Sequence, residues 1–447
     1  MKTKLLALIL AIFTAVSLCG CAASARGGAD SHSSAQEESA ARSAEQTGDA
    51  AAQSAQAQYP ELSADWEERL KVLEKNPVDD GFLDAVNQFA LKTGAQLLRE
   101  EGGCYSPLSL YYALALTAQG AEGQTAEELC ALLGADKKEL AKQCGNLFRR
   151  LYTDDEAGAL LLANSVWMDE EVQGAPVHYQ EAFLRQATEQ FYASLFTADF
   201  ADPATGSKIG DWIAENTRNL LRFEPEVRED QLMALINTVY FKSPWQDRFE
   251  EAGTAEDVFT DRDGQQQTVP FLHRSGRGAC YMGEGYTYAS LALARGRMDF
   301  YLPDPGVDVH SLLEREKLLE EPQAGMEEDR DWVIQWSVPK FSVDSTWSLV
   351  PTLEALGVKD AFTDAADFSG MTDVSAKVGS IQQGTHLGID EEGVEAAAYT
   401  MVSLEAAGAM MEEPEVVEMN LNRPFLYTIT SDEGAVLFLG ICDKVAG

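Results

Sequence analysis

Helical stretches and strand-like runs interleave along the chain without a regular βα period, and this limits the fold more than any other feature. Ser106 before Pro107 suits an N-cap with proline at the first helical position, opening a helix through Leu116 to Gln119. Thr125 with Glu128 three residues on reads as a capping box, and Gly134 can end that second helix. Strand patterns follow at Leu160 to Met168, Gln231 to Phe241, Tyr286 to Ala294, Asp299 to Leu302 and Trp332 to Val338. Pro424 to Ile441 reads as a hairpin around Asp432-Glu433-Gly434. Further helical stretches are expected near 177–190, 203–221 and 346–356. With no internal repeat, the pattern favours α+β over a doubly wound sheet.

The 447 residues are 45% hydrophobic and 9% aromatic, enough apolar content for a sizeable core. With 34 basic and 73 acidic side chains the formal charge is -39, so nucleic acid is repelled and drops out as a partner. Lys2 and Lys4, the apolar run Leu5 to Leu18 and Leu18-Cys19-Gly20-Cys21 read as a targeting signal ending in a tetrad that resembles a bacterial lipobox. By that resemblance residues 1–21 are a lipoprotein signal peptide and Cys21 is the lipid anchor, which places the protein outside the cytoplasm on the bacterial membrane or surface. Residues 22–58, rich in Ala, Ser, Gln and Gly, read as a disordered tether. Residues 1–58 hold four basic and five acidic residues, which leaves -38 of the -39 on the folded part, residues 59–447.

Five cysteines remain there, Cys104, Cys130, Cys144, Cys280 and Cys442, with no metal-like or redox-like spacing. They read as buried hydrophobes. None of the common catalytic motifs is present: no H-E-x-x-H, G-x-S-x-G, Walker loop or G-x-G-x-x-G. His386 precedes the acidic run Asp390-Glu391-Glu392, but without a placed nucleophile it reads as structural. Nothing in the sequence asks for an enzyme, a cofactor or a metal.

Several blocks, in order, form a family pattern. Cys104-Tyr105-Ser106-Pro107-Leu108-Ser109 with Gly120-Ala121-Glu122-Gly123-Gln124-Thr125 resembles the start of a serpin. Asn237-Thr238-Val239-Tyr240-Phe241-Lys242 to Trp245, Val338-Pro339-Lys340-Phe341, Ala366 to Met371, Arg423-Pro424-Phe425-Leu426 and Leu437-Phe438-Leu439-Gly440 match later serpin blocks. The resemblance covers about residues 78–445. It implies a serpin fold, with three β-sheets, eight or nine helices and an exposed reactive-centre loop that baits a protease, in a chain that acts as a monomer.

The loop region, Glu391-Glu392-Gly393-Val394-Glu395-Ala396-Ala397-Ala398-Tyr399-Thr400, resembles the inhibitory hinge, with Val394 in place of Thr and Tyr399 in place of a small residue. With period 2, Val394, Ala396, Ala398, Thr400, Val402 and Leu404 form a small or apolar face, and Glu395, Ala397, Tyr399, Met401, Ser403 and Glu405 form the other. Val394, Ala397, Ala398, Met401 and Leu404 also fit a helical stripe, so periodicity alone leaves strand and helix open. The resemblance favours an insertable loop. It implies suicide inhibition of a serine protease: acylation at the reactive bond, then insertion of the cut loop into the central sheet.

Counting the family spacing forward from Gly393 puts the reactive bond at Ala407-Gly408, and counting back from Pro424 puts it near Glu413. The forward count fixes the length of the inserted strand and is preferred. Ala407 suits elastase-like or subtilisin-like enzymes, and Leu404 or Met410 would suit chymotrypsin-like ones. By the resemblance Ser106, Ser109, Asn237 and Gln383 form the polar shutter under the sheet, and Trp245 stands at the breach where the loop enters. The basic run Lys137, Lys138, Lys142, Arg149 and Arg150 reads as a solvated face. The alternative is a non-inhibitory serpin, a binding or adhesion module whose loop is only a substrate.

Overall fold

In the computed structural model of the chain, the described residues are 11–20, 55–62, 66–172, 174–326, 332–394 and 415–445. The core is built on one helix. Pro107–Gly120 is apolar on every side, and all fourteen of its residues are buried, as expected of a helix enclosed by other elements. Ser106 caps it by accepting the Ser109 amide, with Pro107 at the first helical position. Tyr111 and Tyr112 donate to the carbonyls of Leu133 (2.8 Å) and Cys144 (2.7 Å), so their buried hydroxyls are satisfied.

This helix packs beneath the largest sheet. Its strands run in the order Ser342–Ser348, Ala376–Gly388, Ala11–Gly20, Gln231–Pro244, Gly158–Met168 and Thr153–Asp155. Ala193–Thr197 pairs in parallel with Gly158–Met168, and Gly393–Val394 pairs with the end of Gln231–Pro244. The opposite face is covered by the helix Ala204–Asn216, whose Ile209, Trp212 and Ile213 pack on Ala163, Trp167, Ala234 and Ile236. A six-stranded sheet contains the predicted C-terminal hairpin, Phe425–Thr430 with Val436–Cys442. A four-stranded sheet runs Glu415–Asn420, Trp332–Pro339, Gln266–Gly278 and Ala255–Thr260. With nine α-helices and three short 3-10 helices among the described residues, the molecule is α+β.

Two local expectations are revised. The Thr125–Glu128 capping box does not form: the helix begins earlier, at Gly123, so Thr125 lies inside its first turn. Thr125 instead accepts the Asp367 amide, and Glu128 accepts those of Lys359 and Asp360. The stop is as expected, with Gly134 at φ 76°. Residues 346–348 belong to the strand Ser342–Ser348, and the helix starts only at Val350, next to Pro351. Ala11–Gly20, within the segment read from the sequence as a signal peptide, forms a strand inside the largest sheet.

Contact with the folded body starts within the stretch read as tether. Ala55 exchanges two backbone hydrogen bonds with Leu195, and the Ala57 amide donates to Ser194 Oγ at 2.9 Å. Tyr59 then stacks on Tyr152 at 5.3 Å.

Candidate functional site

The strand Ala376–Gly388 turns at Ile389 to Glu392 and delivers the chain to the top of Gln231–Pro244. Asp390 shapes the turn: its carboxylate accepts the amides of Glu392 (2.8 Å) and Gly393 (3.2 Å). Trp245 holds it from the facing strand, donating its backbone amide to Glu392 O (2.9 Å) and its indole N–H to Asp390 O (2.8 Å). Two ion pairs brace the same corner, Lys340 Nζ with Glu391 at 2.7 Å and Arg248 with Glu392 at 2.9 Å. Burial alone would raise the Glu391 carboxyl pKa, but hydrogen bonds from Lys340, the Glu391 backbone and Thr254 outweigh it, and the group sits below its ordinary value.

Gly393 and Val394 then enter the sheet opposite Pro244 and Ser243. Gly393 has φ 154°, and a Cβ there would lie 2.4 Å from Ser243 O and 2.5 Å from Pro244 Cα, so only glycine fits without displacing the partner strand. Val394 is completely buried. Of the expected hinge residues, Glu392, Gly393 and Val394 are described, and they lie at this turn and at the top of the large sheet. Glu395, Ala396, Ala397 and Ala398 lie outside the described residues, as do Leu404, Ala407, Gly408, Met410 and Cys21.

Below the hinge, the expected polar cluster is divided. Gln383 makes a reciprocal pair with the Ser106 backbone, accepting from its N–H at 2.9 Å and donating to its carbonyl at 3.0 Å. Ser106 Oγ donates to Leu437 O and accepts from Ser109 N. Asn237 is not in this group. It donates to Asn164 Oδ1 at 2.8 Å, and its own Oδ1 is buried with no partner. The reason is topological: the strand Ala11–Gly20 lies between the strands that carry Asn237 and Gln383, and Thr14 occupies the position opposite both. Trp245 is buried at the top, edge-on to Phe249.

Sequence reasoning did not single out Lys340, Thr254, Arg248 or Asn164. Lys340 stands inside a quoted block, yet its pairing with Glu391, 51 residues away, has no signature in local spacing. The basic run is largely occupied by its own neighbours. Lys137 binds Ala121 O and Glu122, Lys142 faces Glu139, Arg149 holds Tyr192 and Asn146, and Arg150 pairs with Glu433. His386 Nδ1 lies 2.5 Å from Asp344.

The comparisons agree with this architecture. The family model described as serpin (serine protease inhibitor) matches residues 84–444. The chain belongs to the serpin family. It is 28% identical over 359 residues to Serpin-Z1A of Triticum aestivum, covering 75% of this chain and 88% of that protein. It is 25% identical over 379 residues to the plasma serine protease inhibitor of Mus musculus, covering 79% and 88%. Among solved structures, the thermophilic serpin tengpin in its native state superposes with TM-score 0.73 at 25% identity, covering 83% of this chain and 95% of that one. Human thyroxine-binding globulin complexed with thyroxine shares the fold, with TM-score 0.70 at 21% identity and coverage of 82% and 99%.

Proposed function

We propose that the protein inhibits a serine protease as a suicide substrate, through the loop that leaves the large sheet at Val394 and returns in the four-stranded sheet at Glu415. The observation that carries this reading is the hinge. Val394 is already paired with Ser243 and buried, and its predecessor is a glycine that the close approach requires. A hinge of that kind lets the rest of the loop continue the strand.

In this reading a protease serine attacks the Ala407 carbonyl and forms an acyl-enzyme, releasing the amine of Gly408. Val394 to Ala407 is roughly 14 residues, so full insertion carries the acylated end on the order of 45 Å. Each backbone hydrogen bond gained contributes about 0.5 to 1.5 kcal/mol, and buried side chains add to it. Pulling the protease out of shape slows deacylation, since loss of a single oxyanion donor costs about 10² to 10³ in rate. Ala407 fits a small primary pocket, elastase-like or subtilisin-like. Cys21, once lipidated, tethers the inhibitor to the bacterial membrane or surface, where two or more acyl chains at about 0.8 kcal/mol per CH₂ hold it stably.

A second reading, a binding or adhesion module with a loop that is only cut, draws on the likeness of fold to a thyroxine-bound serpin. Titrating elastase or subtilisin with residues 22–447 separates the two. Inhibition predicts loss of protease activity at a stoichiometry near one, and the second reading predicts full activity throughout. Labelling with a tagged fatty acid, lost in Cys21→Ala, tests the anchor.

A further inference from the structure

The strand Ala11–Gly20 fills the gap between Gln231–Pro244 and Ala376–Gly388, antiparallel to both. Its sequence explains why it fits. Ala11-Ile12-Phe13-Thr14-Ala15-Val16-Ser17-Leu18 matches Ala397-Ala398-Tyr399-Thr400-Met401-Val402-Ser403-Leu404 without a gap, with Ala, Thr, Val, Ser and Leu identical and Phe answering Tyr.

The register matches as well. In the leader strand Ala11 is opposite Tyr240, Thr14 opposite Asn237, Val16 opposite Leu235 and Leu18 opposite Met233. In the hinge, Val394 is opposite Ser243. Carrying the hinge register on along the same strand brings Ala397 opposite Tyr240, Thr400 opposite Asn237, Val402 opposite Leu235 and Leu404 opposite Met233. Each leader residue therefore stands at the register position its loop counterpart would take. The shared threonine position falls opposite Asn237, and the shared serine position opposite Ala234.

We infer that residues 11–18 are an internal surrogate for the reactive-loop strand Ala397–Leu404, occupying the insertion slot of the unprocessed chain. The inference rests on the loop-insertion reading above. With the leader in place the loop can pair only as far as Lys242 and Phe241 before it meets Ala11 at Tyr240. A protease that acylates the loop is then not carried away, and water hydrolyses the ester: the precursor is a substrate and not an inhibitor. Hydrolysis of the Gly20–Cys21 peptide bond by a leader peptidase frees the ten-residue strand and opens the slot. Inhibition is thereby coupled to export, so the chain cannot trap proteases before it leaves the cytoplasm. A covalently attached strand competes at an effective concentration on the order of millimolar, so a free peptide of the same sequence needs comparable concentrations to act.

Cell-free synthesis without leader peptidase supplies the full chain, to be compared with residues 22–447 and with full-length Val16→Glu, which puts a charge at a position flanked by buried Leu235 and Ile381. The expected result is loop cleavage with adduct yield down by roughly tenfold or more for the full chain, and restored yield for Val16→Glu. Equal adduct yield from the full chain and residues 22–447 overturns the inference. Hydrogen exchange of the leader's own amides decides it independently of inhibition. Protection over residues 12–19 in the full chain, lost in Val16→Glu, supports slot occupancy even if no protease is ever trapped, and exchange at unfolded rates refutes it.

Discussion

Val394 is paired through its backbone with Ser243 and has no exposed surface, so in the proposed mechanism the loop begins from a residue already in the strand. Insertion is the extension of an existing ladder and does not need a new nucleus. Replacing Val394 with Arg puts an unpaired charge where the ladder begins. The expected outcome is conversion to a substrate: cleavage at the same bond, with moles of inhibitor consumed per mole of protease inhibited rising by about tenfold or more. The measurement is a stoichiometry titration against the same protease.

Gly393→Ala tests the approach of the two strands. The added Cβ meets Ser243 O and Pro244 Cα well inside contact distance, at a φ that L residues rarely adopt. A cost of about 1 to 3 kcal/mol is expected, read as a lower unfolding midpoint together with slower inhibition. An unchanged midpoint would mean that the hinge lies further from Ser243 in solution.

The Lys340–Glu391 pair gives a pH dependence with a definite sign. The Glu391 carboxyl has a depressed pKa in the folded protein, so the stability it contributes is present above its ordinary value of about 4.3 and is lost as pH falls through the lower folded value. Glu391→Gln should therefore destabilise by roughly 1 kcal/mol at neutral pH and by less in acid below the folded pKa, where the wild type also carries a neutral group. Denaturant midpoints of the two proteins at pH 7 and in acid make the comparison.

The thiols should be inert in the folded state. Burial pushes Cys104 up to about 12 and drives Cys144 and Cys442 well above the ordinary thiol value, and Cys280 is buried. At pH 8, a thiol reagent added to residues 22–447 should label half-buried Cys130 first, slowed by its own raised pKa, and reach the other four only on unfolding. Rapid labelling of Cys104 would contradict the packing around the central helix.

Much of this architecture was legible in the sequence because it rests on local rules. Ser106 and Pro107 start the central helix, Gly134 stops the next one, and the strand patterns fall within a few residues of the observed strands. Gly393 and Val394 were read as a hinge through the family resemblance, since periodicity alone left strand and helix open. What was not legible depends on residues distant in the chain. Glu128 satisfies a local capping rule but is drawn to Lys359 and Asp360, because those amides need an acceptor and the helix has already begun at Gly123. Gln383 and Asn237 were read as one cluster, yet a strand from the far N-terminus lies between their strands. The likeness of Ala11–Leu18 to Ala397–Leu404 joins segments near opposite ends of the chain and has no signature in local spacing.

The central claim is that the loop traps its target by acylation at Ala407 followed by insertion. Residues 22–447 incubated with elastase or subtilisin, then boiled and run on a denaturing gel, should give a band at the combined mass of protease and cleaved inhibitor. The released fragment should begin at Gly408 by mass spectrometry. Complete loop cleavage with no such band, across proteases that cut at the same bond, would contradict the account.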